Sequence, residues 1–312
     1  MIKLPPPQKI KLIKKYTSKT GAVKFLWLLK DNEVIESTYF AHYVPFTHFP
    51  YKSFLRISTM VGCPVKCRFC ATTFAGKFLR NLKAEEIIDE VLGTYNYIRP
   101  SIRNLISFTG IGEPLLNYEA VIKSIEYFYT SNKTFRQFQF DLDTVGIVPK
   151  IYELAKEGFE VNLSISLHTS NNYLRDKLIP FNRKYPIEEI LEAGEYYAKT
   201  TGRKVLIHYM LIKNFNDSIK NVKELIQLLR GKPFILVLRK MNPVDRSEYS
   251  NKIISYKELE FFKKVFQKNG IQTIIFKRKV FDLPDAACGQ LRQRYIKGIG
   301  PFNSGETLHV NI

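Results

Sequence analysis

The sequence predicts an α/β protein whose parallel sheet forms an open, partial barrel. From about residue 55, β-prone apolar runs alternate with amphipathic helical stretches, a pattern typical of repeated βα units. In the run at residues 161–168, Ser164, Ser166 and His168 alternate with apolar residues, so one face of this strand is polar. A closed eight-stranded barrel fills its interior mainly with bulky apolar side chains. Polar inner faces therefore favour an open barrel lined for a ligand, although small polar residues that satisfy one another remain an alternative.

The predicted elements follow one another regularly along the chain. We expect strands at residues 55–60, 104–109, 137–143, 161–168, 205–212, 234–241 and 273–277, and helices at residues 84–97, 118–130, 148–157, 171–177, 187–199, 218–229 and 256–268. Before them, residues 23–29 and 34–40 predict a β-hairpin with a turn at Asp31 and Asn32. The chain therefore divides into a basic arm (1–18), an N-terminal β extension (19–50), the barrel (51–280) and a C-terminal segment (281–312).

The composition is strongly basic. The 312 residues have a formal net charge of +19 and a sequence pI near 9.6, which is the electrostatic pattern of nucleic-acid-binding proteins. A lysine-rich genome would give a similar charge, so the charge alone does not define a site. No apolar run approaches membrane-spanning length, and the basic N-terminus lacks the apolar core of a signal peptide. Together with the few, clustered cysteines, this predicts a cytoplasmic protein.

Three of the four cysteines, Cys63, Cys67 and Cys70, occupy eight consecutive residues with the spacing Cys-x3-Cys-x2-Cys. Iron–sulfur clusters are usually held by four thiolates. Three thiolates on one tight loop would leave one iron of a four-iron cluster open for chemistry, and Phe69 would shield the cluster from water. Structural zinc is the alternative, but it requires four closed ligands, and the remaining cysteine, Cys288, lies far along the chain.

Several motifs, in matching order, resemble those of the radical S-adenosylmethionine (SAM) enzymes of the RlmN/Cfr family. They are residues 60–72 (MVGCPVKCRFCAT), 110–117 (GIGEPLLN), 166–168 (SLH), 177–186 (KLIPFNRKYP), 242–243 (NP) and 285–291 (DAACGQL). The resemblance extends from about residue 21 to residue 291. It implies the partial TIM-type barrel of radical SAM enzymes and a methyl synthase that acts on adenosine C2 or C8 of ribosomal or transfer RNA.

The resemblance also implies a cofactor set and a set of site residues. Cys63, Cys67 and Cys70 would bind a [4Fe-4S] cluster. S-adenosylmethionine would contact seven residues, namely Gly112, Glu113, Asp143, Ser166, Leu167, His168 and Asn242. The methyl carrier would be Cys288, and Glu36 falls where the family has a glutamate proposed for proton transfer. For Glu36, an exposed glutamate at a strand end is the alternative.

The sequence departs from the family pattern at three places. Arg56 stands where the family has a second catalytic cysteine, which removes a proton from the adduct and then releases the carrier as a disulfide. Arginine does not act as a base in proteins. Asp143 stands where the family has a serine in its cofactor site, and we expect no counterpart of the family's N-terminal accessory domain.

Three hypotheses follow for the function. The first is an RNA adenosine methyl synthase, with ribosomal or transfer RNA as substrate partner and a reductant such as flavodoxin or ferredoxin. The second is a radical SAM enzyme that has diverged to another reaction because of Arg56. The third is a non-catalytic RNA-binding iron–sulfur protein. We expect a monomer without membrane association.

Overall fold

The structure is a computed structural model, and it describes residues 6–18, 22–41, 53–98, 104–131, 138–276, 289–298 and 307–308. These residues form the strands β1 (Ile10–Thr17), β2 (Val23–Leu29), β3 (Val34–Ala41), β4 (Ser53–Arg56), β5 (Met60–Val61), β6 (Arg80–Asn81), β7 (Asn104–Phe108), β8 (Phe138–Thr144), β9 (Val161–Ser166), β10 (Val205–Leu211), β11 (Phe234–Lys240), β12 (Thr273–Ile275) and β13 (Thr307–Leu308). The helices are α1 (Ala71–Phe74), α2 (Ala84–Tyr97), α3 (Tyr118–Thr130), α4 (Val148–Leu154), α5 (Asn172–Leu178), α6 (Ile187–Thr201), α7 (Ile219–Leu229), α8 (Tyr256–Lys268) and α9 (Gln290–Ile296).

The predicted alternation of strands and helices is confirmed from β7 to β12. Helices α2, α3 and α8 have the predicted bounds, and the other elements differ from the predicted bounds by one to three residues at one or both ends. The predicted hairpin is present as β2 and β3, which pair antiparallel. The amphipathic periodicity of the sequence was therefore a sufficient signal for most of these elements.

One predicted strand, at residues 55–60, is divided in the structure. β4 ends at Arg56 and β5 begins at Met60. Between them the backbone turns to the loop after β7, where the amides of Thr59 and Met60 both donate to the carbonyl of Ile111, at 2.8 and 3.2 Å. These long-range hydrogen bonds replace the ladder that a continuous strand would form.

The predicted basic arm contains a strand that the sequence analysis did not anticipate. β1 pairs antiparallel with β2, and Ile10, Leu12 and Tyr16 face the core while Lys11 is exposed. Its lysines concealed the apolar pattern of this strand in the sequence.

The chain forms two compact units. The first comprises Met1–Pro64, Ala71–Leu142 and Arg278–Ile312. In it β1, β2, β3 and β4 pair antiparallel in sequence, and β4, β7 and β8 continue as parallel neighbours. The indole Nε1 of Trp27, which is fully buried, donates to Ser37 Oγ at 2.8 Å, and Ser37 contacts Thr94 of α2 at 3.0 Å. The hairpin is thereby fixed on α2.

The second unit comprises Val65–Cys70 and Asp143–Lys277. β9, β10, β11 and β12 are parallel neighbours in that order, joined by helical connections. Arg175 of α5 is 1% exposed and donates to the carbonyls of Val145, Ser166 and Leu167. One guanidinium thus holds the backbone after β8 and at the end of β9. In neither unit do the described strands close into a barrel.

None of the helices in the described part of the chain is long and apolar enough to cross a bilayer.

Candidate active site

The three predicted cluster cysteines lie in one loop between β5 and α1. Cys67 is buried, Cys63 and Cys70 are partly exposed, and all three are thiols. Backbone φ angles of 78° at Gly62 and 58° at Lys66 turn the chain sharply, and the second of these is uncommon for a residue with a side chain. The Cys70 amide donates to the Cys67 carbonyl at 3.2 Å, so the C-terminal half of the loop is a tight turn.

This donor set fits an iron–sulfur cluster. Within the described residues, no three Cys, His, Asp or Glu side chains form a group that could hold a single metal ion. The thiolates of a cluster each bind a different iron and are not required to meet at one point. A structural zinc site would need four closed ligands, whereas this loop has three thiols. Cys63, Cys67 and Cys70 would therefore hold a cluster with one iron open.

Two buried hydroxyls flank the cysteine loop. Thr59 and Thr72 are each 2% exposed, and neither hydroxyl oxygen has a hydrogen-bond partner in the part of the chain that the structure describes. Buried polar atoms are almost always hydrogen-bonded in native proteins. Two unpartnered hydroxyls on either side of the loop fit a site that takes a polar ligand.

The turn after β7 lies directly beside the strand that precedes the cysteine loop. At Gly112 φ is 117°, and a Cβ there would lie 2.5 Å from Thr59 Oγ1. Only glycine allows this conformation and this approach. Glu113 is buried, and its carboxylate accepts from the Leu115 amide at 3.1 Å. The predicted pair Gly112 and Glu113 thus forms a rigid turn with a buried carboxylate, which suits an ammonium group of a ligand.

Asp143 and Ser166, both predicted to bind the cofactor, are joined by a hydrogen bond. Ser166 Oγ donates to Asp143 Oδ1 at 2.8 Å, and the other carboxylate oxygen lies 3.0 Å from His208 Nδ1. Arg239 Nη2 lies 3.2 Å from His208 Nε2. Arginine has no acceptor, so His208 Nε2 accepts from Arg239 and Nδ1–H donates to Asp143.

This chain of contacts keeps Asp143 ionised. Burial raises the pKa of Asp143, but the hydrogen bonds from His208 and Ser166 and the charge of the Arg239 guanidinium hold it below its ordinary value. The site therefore presents a fixed negative charge where the family has a serine. An aspartate held in this way accepts hydrogen bonds, as the hydroxyls of a ribose would require.

His168 follows β9 in a conformation unusual for its residue type, with φ at 61°. Its Nδ1 accepts from the Met210 amide at 3.1 Å, and its carbonyl accepts from Asn216 Nδ2 at 2.7 Å. Burial lowers the pKa of His168 to about 3, so the ring is neutral. Phe69, predicted to shield the cluster, packs edge-on against this ring at a centroid distance of 5.1 Å.

The two remaining predicted contacts also follow strands of the second unit. Leu167 is fully buried beside His168, and its backbone carbonyl accepts from Arg175 at 3.1 Å. Asn242 comes two residues after β11 and is partly exposed. Both therefore come directly after the carboxyl ends of parallel strands, where α/β proteins bind ligands.

Glu36 is buried in the interior of β3, so the alternative of an exposed glutamate at a strand end is wrong. Its side chain is 2% exposed and pairs with the equally buried Lys24 at 3.1 Å. The same carboxylate accepts from the backbone amides of Gly289, at 2.6 Å, and Arg292, at 2.9 Å. Glu36 thus fixes the start of α9.

The predicted carrier Cys288 lies outside the described residues, but the next residue is described. Gly289 has φ at 81°, and a Cβ there would lie 2.3 Å from Thr72 Oγ1. Thr72 belongs to α1, which begins directly after Cys70. Gly289 is therefore in close contact with the helix that follows the cysteine loop.

Arg56 occupies the last position of β4 and is 5% exposed. Its Nε donates to Thr109 Oγ1 at 3.0 Å, and its guanidinium lies 5.7 Å from the ring centre of Phe40 and 5.6 Å from that of Phe54. A buried arginine thus stands where the resemblance places a cysteine.

Sequence reasoning missed His208, Arg239 and Lys24. Lys24 and His208 each interrupt an apolar strand, and Arg239 with Lys240 ends one, so that contrast was a usable signal. Their partners, however, are set by strand pairing: His208 and Asp143 are 65 positions apart in the chain. The order of the strands in the sheet, in which β9 lies between β8 and β10, and not a local motif, brings them together.

Comparisons with known proteins agree with this site. The model of the radical SAM superfamily matches residues 57–229. A probable dual-specificity RNA methyltransferase RlmN of Fervidobacterium nodosum is 42% identical over 275 residues, covering 88% of this chain and 76% of that protein. A protein of the same name from Thermotoga sp. is 41% identical over 292 residues, covering 92% and 81%. A crystal structure of a radical SAM methyltransferase from Sphaerobacter thermophilus has a TM-score of 0.80 at 32% identity and covers 91% of this chain and 81% of that one.

These matches confirm the predicted fold class and the predicted resemblance. The superfamily match covers more than half of the chain and includes all three cysteines of the loop. A [4Fe-4S] cluster and S-adenosylmethionine are the cofactors of this superfamily, as predicted. With relatives above 40% identity over most of its length, the chain belongs to the RlmN family of radical SAM enzymes.

Proposed function

We propose that this protein is a radical SAM RNA methyltransferase that transfers a methyl-derived carbon to a ring carbon of adenosine by way of S-methyl-Cys288. The observation that supports it most directly is family membership, since relatives up to 42% identical are named as RNA methyltransferases. The buried polar groups around the cysteine loop and the carboxyl ends of the strands are consistent with it.

The cofactors have separate sets of candidate ligands in this chain. When bound, the cluster and S-adenosylmethionine supply the methyl group and the carbon radical that the reaction needs. Cys63, Cys67 and Cys70 would hold the cluster. The buried carboxylate of Glu113 would bind the ammonium of the methionine moiety, and Gly112 would let the backbone approach it. The carboxylate of Asp143, with Ser166, Leu167, His168 and Asn242 in the same unit, would bind other parts of the cofactor.

Cys288 would accept and carry the methyl group as a thiolate. The contact of Gly289 with Thr72 supports this role, because it holds the residue next to Cys288 against the helix that follows the cysteine loop. The hydrogen bonds of Glu36 to α9 support a holding function for this glutamate. Its role in proton transfer stays a prediction.

The substrate surface is expected to be basic and aromatic. Lys14 Nζ lies 5.6 Å from the ring centre of Tyr295, and Lys15 Nζ lies 5.9 Å from that of Tyr97. Both tyrosines are substantially exposed. Lysines attract phosphates and aromatic rings stack on bases, so each of these pairs would suit single-stranded RNA. The choice between ribosomal and transfer RNA, the flavodoxin or ferredoxin donor and the monomeric state remain predictions.

The proposal is tested by mass spectrometry of the purified protein after cluster reconstitution and incubation with S-adenosylmethionine and a reductant. We expect one methyl group on the peptide that contains Cys288 and none in the Cys288→Ala variant. Detection of 5′-deoxyadenosine in the same reaction reports the radical chemistry independently. A protein that contains the cluster and cleaves S-adenosylmethionine, yet never methylates Cys288, would contradict the methyl-synthase proposal.

Arg56 favours one second candidate, a radical SAM enzyme that has diverged to another reaction. Four cysteines are present in the sequence, three are assigned to the cluster and one to the carrier, so no cysteine is left to resolve the carrier. Methylated adenine found in the RNA of cells that express this protein, and absent without it, would exclude this candidate. The third hypothesis, a non-catalytic RNA-binding protein, is not favoured by membership of a family of enzymes.

A further inference from the structure

Arg56 is a buried cation with an unused hydrogen-bond donor. Its Nη1 is buried and has no acceptor among the described residues. Buried polar atoms without a partner are rare in native proteins, and charged ones destabilise the fold most. An arginine that remains in such a place needs an acceptor from outside the described chain.

Among the described residues of the first unit, a chain of hydrogen bonds links Arg56 to a carboxylate. Nε contacts Thr109 Oγ1, which lies 3.0 Å from Ser107 Oγ, and Ser107 Oγ donates to Asp141 Oδ2 at 2.8 Å. Two hydroxyls therefore separate the guanidinium from this carboxylate. The chain of hydrogen bonds orients Arg56 through Nε and leaves Nη1 for another partner.

The position of Arg56 is that of a ligand-binding residue. It ends β4, and Thr109 follows the end of the parallel strand β7 directly before the turn that contains Gly112 and Glu113. Ligands of parallel α/β sheets bind at the carboxyl ends of the strands. Because Phe40 and Phe54 lie near the guanidinium, its polar edge is suited to an acceptor in the plane of the group.

We propose that Arg56 binds the substrate nucleotide, donating from Nη1 to an acceptor of the RNA. This inference rests on the proposed function for the identity of the substrate. The acceptor is a ring nitrogen of the adenine base or a phosphate oxygen of the same nucleotide. Arg56 would thus recognise the substrate, whereas the cysteine that the family has at this position takes part in the reaction. Arg56 would take no part in proton removal.

The test is RNA binding, measured without turnover. The probe is a fluorescein-labelled synthetic RNA hairpin with unpaired adenosines in its loop, bound to the cluster-loaded protein and followed by fluorescence anisotropy. We expect Arg56→Met to weaken binding about tenfold or more, because a hydrogen bond to a charged group is lost. Arg56→Lys keeps the charge but not the planar donors, so its RNA affinity should lie between those of the wild-type protein and Arg56→Met. The matched control is Arg230→Met, which removes one exposed positive charge and should change the affinity less than about twofold.

The salt dependence distinguishes the two possible acceptors. Loss of a phosphate contact lowers the slope of log affinity against log salt by about 0.7 for single-stranded RNA. Loss of a base contact leaves that slope unchanged, and the effect of Arg56→Met disappears when uridines replace the loop adenosines. Either result supports the proposal.

Three results would overturn it. They are unchanged RNA affinity in a folded Arg56→Met protein, a loss confined to S-adenosylmethionine binding measured by equilibrium dialysis, and an absence of RNA binding by the wild-type protein. If Arg56→Met does not fold, as judged by circular dichroism and iron content, Arg56→Gln and Arg56→Lys provide the same comparison. Because no turnover is involved, an inactive protein with Arg56-dependent RNA binding would contradict only the methyl-transfer proposal. An active protein indifferent to Arg56 would contradict only this inference.

Discussion

Single buried side chains in this protein hold several backbone segments in place. Arg175, almost fully buried, donates to three backbone carbonyls and to Asn182 Oδ1 at 2.7 Å. The carbonyls belong to residues next to Asp143 and His168, so one guanidinium orients the backbone on which two predicted cofactor contacts are built. A buried charge with four hydrogen bonds of this kind rigidifies its surroundings.

His168 should make the stability of the protein depend on pH in a predictable direction. Its pKa is lowered to about 3 in the folded state, whereas unfolded histidine titrates near 6.5. The unfolded chain therefore binds a proton that the folded chain excludes. The stabilisation is complete above about pH 6.5 and decreases as the pH falls towards 3, by about 2 kcal/mol between pH 6.5 and pH 5.

Urea unfolding of the wild-type protein and of His168→Asn across this range measures the effect. Asparagine tolerates positive φ, and its side-chain oxygen is an acceptor for the Met210 amide. The difference in free energy of unfolding between the two proteins should narrow on acidification. A difference that stays constant between pH 7 and pH 5 would contradict a neutral, buried His168.

At the scale of the elements, periodicity in the sequence defined most strands and helices but not all. Three-to-four patterns were enough for the helices because each buries one face, and strands such as β7 and β10 were recognisable as short, mainly apolar runs because they are buried on both faces. β1 was not predicted because Lys11, Lys14 and Lys15 interrupt its apolar pattern. α9 was not predicted because seven residues are too few to show a helical pattern. Such short or basic elements depend on tertiary contacts, which the local sequence does not report.

Some parts of the candidate site were likewise predictable from local sequence, and others depend on residues that are distant in the chain. The cysteine loop and the turn at Gly112 and Glu113 are contiguous, so their spacing was readable from the sequence. The partners of Asp143 and Glu36 were not, because His208 and the amide of Gly289 come from distant positions in the chain. Strand β10, two strands away from β8 in the sheet, and a late helix supply them only once the chain has folded.

The start of α9 should be sensitive to the size of residue 289. Gly289→Ala places a Cβ 2.3 Å from Thr72 Oγ1 at a positive φ, while Gly231→Ala has a similar φ of 77° and open space around it. Gly231→Ala, the control, should lower the free energy of unfolding by about 1 kcal/mol through backbone strain alone. Gly289→Ala should cost about 1 to 3 kcal/mol more, since it also overpacks. Urea denaturation of both variants checks this, and equal losses would argue against a tight contact between α9 and α1.

At the scale of the whole molecule, the number of cysteines limits which steps of the proposed reaction the protein can carry out. The sequence contains four, and the proposed function uses all of them. In the RlmN/Cfr family, according to the resemblance, a second catalytic cysteine frees the carrier from its RNA adduct, and Arg56 stands in its place. Arginine neither removes a proton nor forms a disulfide. The chain is thus equipped to begin the transfer but has no thiol with which to end it.

We therefore expect the wild-type protein to accumulate RNA bonded to Cys288. Purification under denaturing conditions from RNA-rich cells, followed by nuclease digestion, should give a nucleotide adduct on the Cys288 peptide by mass spectrometry. The adduct should be absent from Cys288→Ala and from Cys67→Ala, which would lack the carrier and a cluster ligand respectively. Arg56→Cys, which supplies the missing thiol, should lower the adduct yield and raise the amount of methylated adenosine. If the wild-type protein instead forms more than one methylated adenosine per enzyme molecule and no adduct, a group other than a cysteine releases the product.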